Sequence, residues 1–206
     1  MSVRKKLNIG FISIGSILLL ALIFTSVQFF RIGESVNHAN NVQSKEIAVF
    51  NKIQIQLNAQ NAFARTYISD SSSQNKDLLL DSTLKLTEAI NAIPKDTSSE
   101  INNTIQTIRN HNETLSTYVD SIIKSMGEQN ISSALTLVNS DYNYTNQGIA
   151  NLSQKLIDYK NSQLENDIAT AERGIYVSLI FSIIMVFLTI VLVVAFLLYI
   201  KRGITV

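Results

Sequence analysis

The sequence of 206 residues has no cysteine and no tryptophan, one proline, seven glycines and two histidines. Without cysteine there are no disulfides, no thiolate metal sites and no cysteine nucleophile. The compartment is left open, because an oxidising space permits disulfides without requiring them. His38 and His111 stand far apart. The chain also lacks a Gly-rich phosphate loop, an H-E-x-x-H pair and a G-x-S-x-G elbow. We therefore expect no catalytic residues, no metal and no cofactor: not an enzyme. The scarcity of proline and glycine leaves few turns and predicts a helical chain. No basic patch suggests nucleic acid as a partner.

Two stretches lack charge altogether, residues 7–30 and 174–200. Each exceeds the ~20 residues a helix needs to cross a ~30 Å hydrocarbon core. Neither contains an ionisable residue, which argues against an ion pathway or proton relay. The first stretch, 24 residues long, exceeds a signal-peptide h-region and ends without a small-x-small site. An uncleaved signal anchor is expected. The outer ends are basic: Arg4, Lys5 and Lys6 before the first stretch, Lys201 and Arg202 after the second. Short basic flanks stay in the cytoplasm. The intervening segment, 31–173, holds 12 Lys+Arg and all 16 Asp+Glu. The expectation is a multi-pass plasma-membrane protein with both termini cytoplasmic (1–6 and 201–206) and residues 31–173 outside. Tyr176 and Tyr199, with Lys201 and Arg202, are expected at the membrane interfaces, where a tyrosine ring is half buried and its hydroxyl wet. Ala21 and Thr25 form a small-xxx-small pair on the first span.

Three polar breaks divide 31–173 into four predicted helices: residues 70–75, 94–99 and 127–130. Pro94 disfavours helix at Ile93, and Thr97 with Glu100 reads as a capping box opening the third helix. In that helix Ile101, Ile105, Ile108, Asn112, Leu115, Val119, Ile122 and Met126 repeat in steps of four and three. In the fourth, Leu135, Val138, Tyr142, Thr145, Ile149, Leu152, Leu156, Tyr159 and Gln163 do the same, and the first has Phe50, Ile53, Leu57, Gln60, Ala64 and Tyr67. A 3.5-residue repeat is the seam of helices crossing at about 20°. Short connections imply up-down-up-down order. The expected fold is all-α: two transmembrane helices continuous with an extracytoplasmic up-down-up-down four-helix bundle. At 1.5 Å per residue the first and fourth helices span ~58 and ~66 Å and the second and third only ~33 and ~43 Å. All four pack together only distally. A two-helix stalk is left nearer the membrane, and such a pair buries its apolar stripe poorly, so a homodimer is expected.

Polar residues on or beside the seams are the candidate ligand-binding residues. Arg65 follows Asn61 by one turn, and Arg109 neighbours His111 and Asn112. An arginine fork matches a carboxylate with two parallel hydrogen bonds. Each arginine is equally read as a solvated or salt-bridged face. Asn112 is equally read as a register-fixing seam residue. Tyr142 lines a pocket or belongs to the core. Five N-x-[ST] triplets, at Asn102, Asn112, Asn130, Asn143 and Asn151, follow from a composition rich in Asn and Ser.

Over essentially its whole length the chain resembles the four-helix-bundle sensor domain of bacterial methyl-accepting chemotaxis proteins. The resemblance begins with Arg4-Lys5-Lys6-Leu7 and Gly10-Phe11 at the first span. Ala64-Arg65-Thr66-Tyr67 resembles the Arg-containing end of that family's first helix. Gly127, Glu128, Ala134 and Leu137 resemble its Gly-acid start to the fourth helix. Lys201-Arg202-Gly203-Ile204-Thr205-Val206 resembles the opening of a HAMP linker. The resemblance implies an input module that senses an extracellular small molecule or a ligand-loaded binding protein. It would relay the signal by helix displacement to cytoplasmic signalling partners through downstream domains, here absent. The same module precedes histidine kinases and diguanylate cyclases, which stand as alternatives. A two-span membrane scaffold without ligand is a third. The family has no single shared ligand, so no binding residue carries over.

Overall fold

The computed structural model describes the backbone of residues 3–96 and 98–204, and side chains over 8–39, 41–96, 98–198 and 201. The chain is all-helical, with no strand among the described residues. Its elements are α1 (Val3–His38), a π-helical turn (Ala39–Gln43), α2 (Ser44–Asp70), α3 (Ser73–Asn91), α4 (Ser99–Gly127), α5 (Ile131–Leu137), a second π-helical turn (Val138–Tyr142) and α6 (Asn143–Ile204). The three expected breaks are all present. No break separates either uncharged stretch from the helix beside it, since 7–30 lies inside α1 and 174–200 inside α6.

Local chemistry accounts for the breaks. At the end of α2, Ser71 takes a left-handed conformation (φ 54°) and returns its N–H to the Tyr67 carbonyl. Ser72 then caps α3, its Oγ accepting the Asn75 N–H. Asp70 accepts from the Ser72 N–H (3.0 Å) and from Asn75 Nδ2 (2.6 Å). The Ser72 N–H leads the causes that hold its carboxyl below the usual range. Helix α3 stops at Asn91, two residues earlier than Pro94 alone predicts, because Ala92 bonds back to Glu88 and Ile93 to Ile90 in a tightened last turn. The cap of α4 is Ser98, whose Oγ accepts the Ile101 N–H. The expected cap Thr97 lies outside the described residues. After α4 the left-handed residue is Gln129 (φ 57°) rather than Gly127, and Asn130 caps α5 by accepting the Ser133 N–H.

The chain divides into two compact units, residues 40–164 and residues 1–39 with 165–206. The expected divisions at 31 and 173 fall within the second unit, because there residues 31–38 pair with α6: Ile32 packs on Gly174 and His38 bonds Asp167. In unit 40–164 the helices share one apolar core. Every seam residue expected on α4 is buried, from Ile101 to Met126. So is every one on α2, with Ile68 added. The last seam departs from expectation. Leu135 is 45% exposed and Ala134 takes the inside position. Further along, Ser153, Ile157 and Lys160 are buried, while Leu152 and Tyr159 are only partly so. An α-helix drifts ~20° per heptad against a 3.5-residue repeat, and the π turn at Val138–Tyr142 adds its own phase shift.

In the other unit α1 and α6 run antiparallel in register. Phe11 meets Phe196 edge-on at 6.3 Å, Phe24 meets Phe181 at 4.0 Å and His38 Nδ1 lies 2.7 Å from Asp167 Oδ2. Gly10 allows the close approach: a Cβ there would lie 2.1 Å from the Phe196 ring. Both uncharged stretches are apolar enough and long enough to cross a membrane, and neither is buried within the protein. Ala21 and Thr25 line an apolar groove of about 510 Å³ with Phe181, Ser182, Met185 and Thr189. The Thr25 hydroxyl is occupied by the Ala21 carbonyl.

Candidate functional site

The four candidate ligand residues separate into two pairs. Arg65 and Tyr142 meet at the second π turn. Arg65 donates from NH1 to Asn139 Oδ1 (3.1 Å) and from Nε to Asn61 Oδ1 (3.3 Å). The fork expected for a carboxylate ligand thus binds two side-chain amides. Tyr142 is fully buried, and its hydroxyl donates to Gln60 Oε1 at 3.4 Å. Gln60 continues the chain to Thr83 Oγ1 (2.8 Å), which donates to the Leu79 carbonyl (2.8 Å). Burial drives the Tyr142 phenol pKa far up, against a downward pull from Arg65. The hydroxyl stays protonated and donates within this buried chain of hydrogen bonds.

Arg109 and Asn112, both on α4, reach the last turns of α3 and the residues just after it. The Arg109 guanidinium donates to the Ile93 carbonyl (3.4 Å) in the turn after α3. Asn112 is buried and donates from Nδ2 to Thr87 Oγ1 (3.0 Å), while its Oδ1 has no hydrogen-bond partner. That is the behaviour of a polar seam residue tying α4 to α3. Of the interface residues, Tyr176 is 67% exposed on α6 and Lys201 is exposed. The side chains of Tyr199 and Arg202 lie outside the described residues.

The π turn has an outer side that the sequence did not single out. A π turn holds one more residue than an α turn. Here the surplus sends Asn139 and Tyr142 towards α2 and leaves Ser140 and Asp141 on a polar groove of about 550 Å³. Ser121 and Ser125 of α4 face it, with Ser132 and Thr136 of α5. The groove offers several hydroxyls and one carboxylate, with no cationic side chain in its lining. That donor set suits a small polar ligand that is neutral or positively charged. The signal for it in the sequence is the serine-rich run on both sides of the third break.

The second feature missed from sequence is a buried charge cluster. Lys160 of α6 places Nζ 2.6 Å from Asp96 Oδ2 in the α3–α4 connection and 2.7 Å from Glu46 Oε2 on α2. The three side chains are only 7, 10 and 13% exposed. Burial pulls the Lys160 ammonium down. The hydrogen bonds and charges of Asp96 and Glu46 outweigh that pull and leave its pKa above the usual value. No spacing rule joins residues 46, 96 and 160, so only folding brings them together. No cluster of three or more metal-ligating side chains occurs among the described residues. The chain matches no family model, no curated protein and no solved structure.

Proposed function

We propose that the chain is the input module of a dimeric transmembrane receptor of the methyl-accepting chemotaxis type. In this reading unit 40–164 is an extracytoplasmic four-helix bundle, and the uncharged stretches of α1 and α6 are its two membrane spans. A small polar molecule, or a binding protein carrying one, favours one packing of the bundle, and the polar groove beside Ser140 and Asp141 is its seat. α1 and α6 carry that preference as a displacement of ~1–2 Å to cytoplasmic signalling domains. A ligand shifts the balance only by its differential affinity for the two packings, typically ~1–3 kcal/mol. The observation that carries the reading is helical continuity. Neither uncharged stretch is separated by a loop from the helix that leads to the packed unit.

The test is a thermal-shift screen of the full chain in detergent against amino acids, amines and organic acids, followed by disulfide crosslinking between copies carrying Gln163→Cys. A compound that raises the melting temperature is expected to change the crosslinking rate, and Asp141→Asn is expected to weaken a cationic hit. A compound that stabilises the chain and leaves the rate unchanged would overturn the relay.

A further inference from the structure

We propose that Lys160, Asp96 and Glu46 form an ionic latch that fixes the register of α6 against α2 near the boundary of the packed unit. Lys160 stands four residues before the unit boundary at Leu164, and Glu46 six residues after that at Asn40. The latch has one rigid arm and two helical ones. Asp96 is fixed from all sides: its Oδ1 accepts the Ser98 N–H (2.8 Å), its N–H donates to Asn102 Oδ1 (3.0 Å) and its carbonyl accepts from Asn102 Nδ2 (2.6 Å). Its second carboxylate oxygen is therefore held at one place, and Lys160 reaches it from α6.

A slide of α6 by one residue moves a side chain by ~1.5 Å along the axis and ~100° around it. The ammonium would then leave both carboxylates, stranding two buried negative charges. Buried ions are poor sources of net stability, but removing one partner of a set is costly. Among other charged side chains of these segments, Lys155 and Glu100 lie 3.7 Å apart and exposed, and Asp158 accepts from Gln154. They lie outside the buried cluster.

The latch stands on this geometry alone; only its use in a relay rests on the receptor reading. Spin labels at the exposed positions Ala48 of α2 and Ser162 of α6 report the register in the full chain in detergent, by electron–electron distance measurement without any ligand. The native chain is expected to give one narrow distance. Lys160→Met is expected to broaden it. The neutral triple variant Lys160→Met, Glu46→Gln, Asp96→Asn strands no charge, and is expected to keep its helical circular dichroism yet show at least two distances. Leu156→Ala weakens the same core without touching the latch and is expected to keep the single distance. A triple variant with the native distance alone, or a Leu156→Ala chain broadened equally, would overturn the proposal.

Discussion

Lys160 is charged because two carboxylates outweigh its burial. Its pKa is raised on folding, so its stabilising contribution is complete below the unfolded value near 10.5 and is lost as pH rises through the higher folded value. The denaturation midpoint of the native chain should accordingly fall as pH rises above about 10.5, and that of the neutral triple variant, which has no ammonium to lose there, should fall less. At neutral pH, Lys160→Met alone strands two buried carboxylates and should cost roughly 3–5 kcal/mol, read from the denaturant midpoint. Gln129 presents a different residue-scale cost. Its φ of 57° lies where a side chain is strained, and glycine relieves that strain. Gln129→Gly should therefore stabilise the chain by up to about 1 kcal/mol, visible as a higher melting temperature. The same change at Gly127 is unavailable, since the left-handed position falls two residues later than the glycine suggests.

At the scale of elements, the π turn at Val138–Tyr142 holds one residue more than an α-helix needs. Deleting Ser140 should convert it to α-helix and keep the flanking core residues Val138 and Tyr142 facing inward. Deleting one residue from the regular part of α6, such as Ala150, turns everything beyond it by ~100° and should unfold the unit. Circular dichroism melts of the two deletions separate these outcomes. The α1–α6 pair depends on Gly10. A valine there would drive Cγ atoms into the space of the Phe196 ring, so Gly10→Val should slow disulfide formation between cysteines at Ile14 and Leu192, which line one groove across the pair. Adding Phe196→Ala should restore the rate.

For the whole molecule the decisive matter is which side of a membrane each unit occupies. In the proposed receptor reading the basic flanks at Arg4 to Lys6 and at Lys201 and Arg202 would lie inside. A membrane-impermeant maleimide should label Ser72→Cys in intact cells, and Lys201→Cys only after permeabilisation. Labelling of Lys201→Cys in intact cells would remove the two-span arrangement and with it the receptor reading.

Much of the secondary structure was legible in the sequence because it depends on neighbours in the chain. The seams of α2 and α4, the three breaks and the two uncharged stretches follow from residue spacing and from what Asp, Ser, Asn and Pro do to adjacent backbone. The fate of the polar seam residues was not legible. Arg65, Arg109, Asn112 and Tyr142 carry groups suited to a ligand, yet each is engaged by Asn139, Ile93, Thr87 or Gln60, far away in sequence. The inward shift from Leu135 to Ala134, the groove beside Ser140 and the Lys160 cluster likewise arise only when helices meet. Where the helices run and which faces are apolar follow from propensity and periodicity, which act between neighbours along the chain. Which polar groups pair across helices, as Lys160 with Asp96 and Glu46, depends on packing, because those residues have no fixed spacing in the sequence.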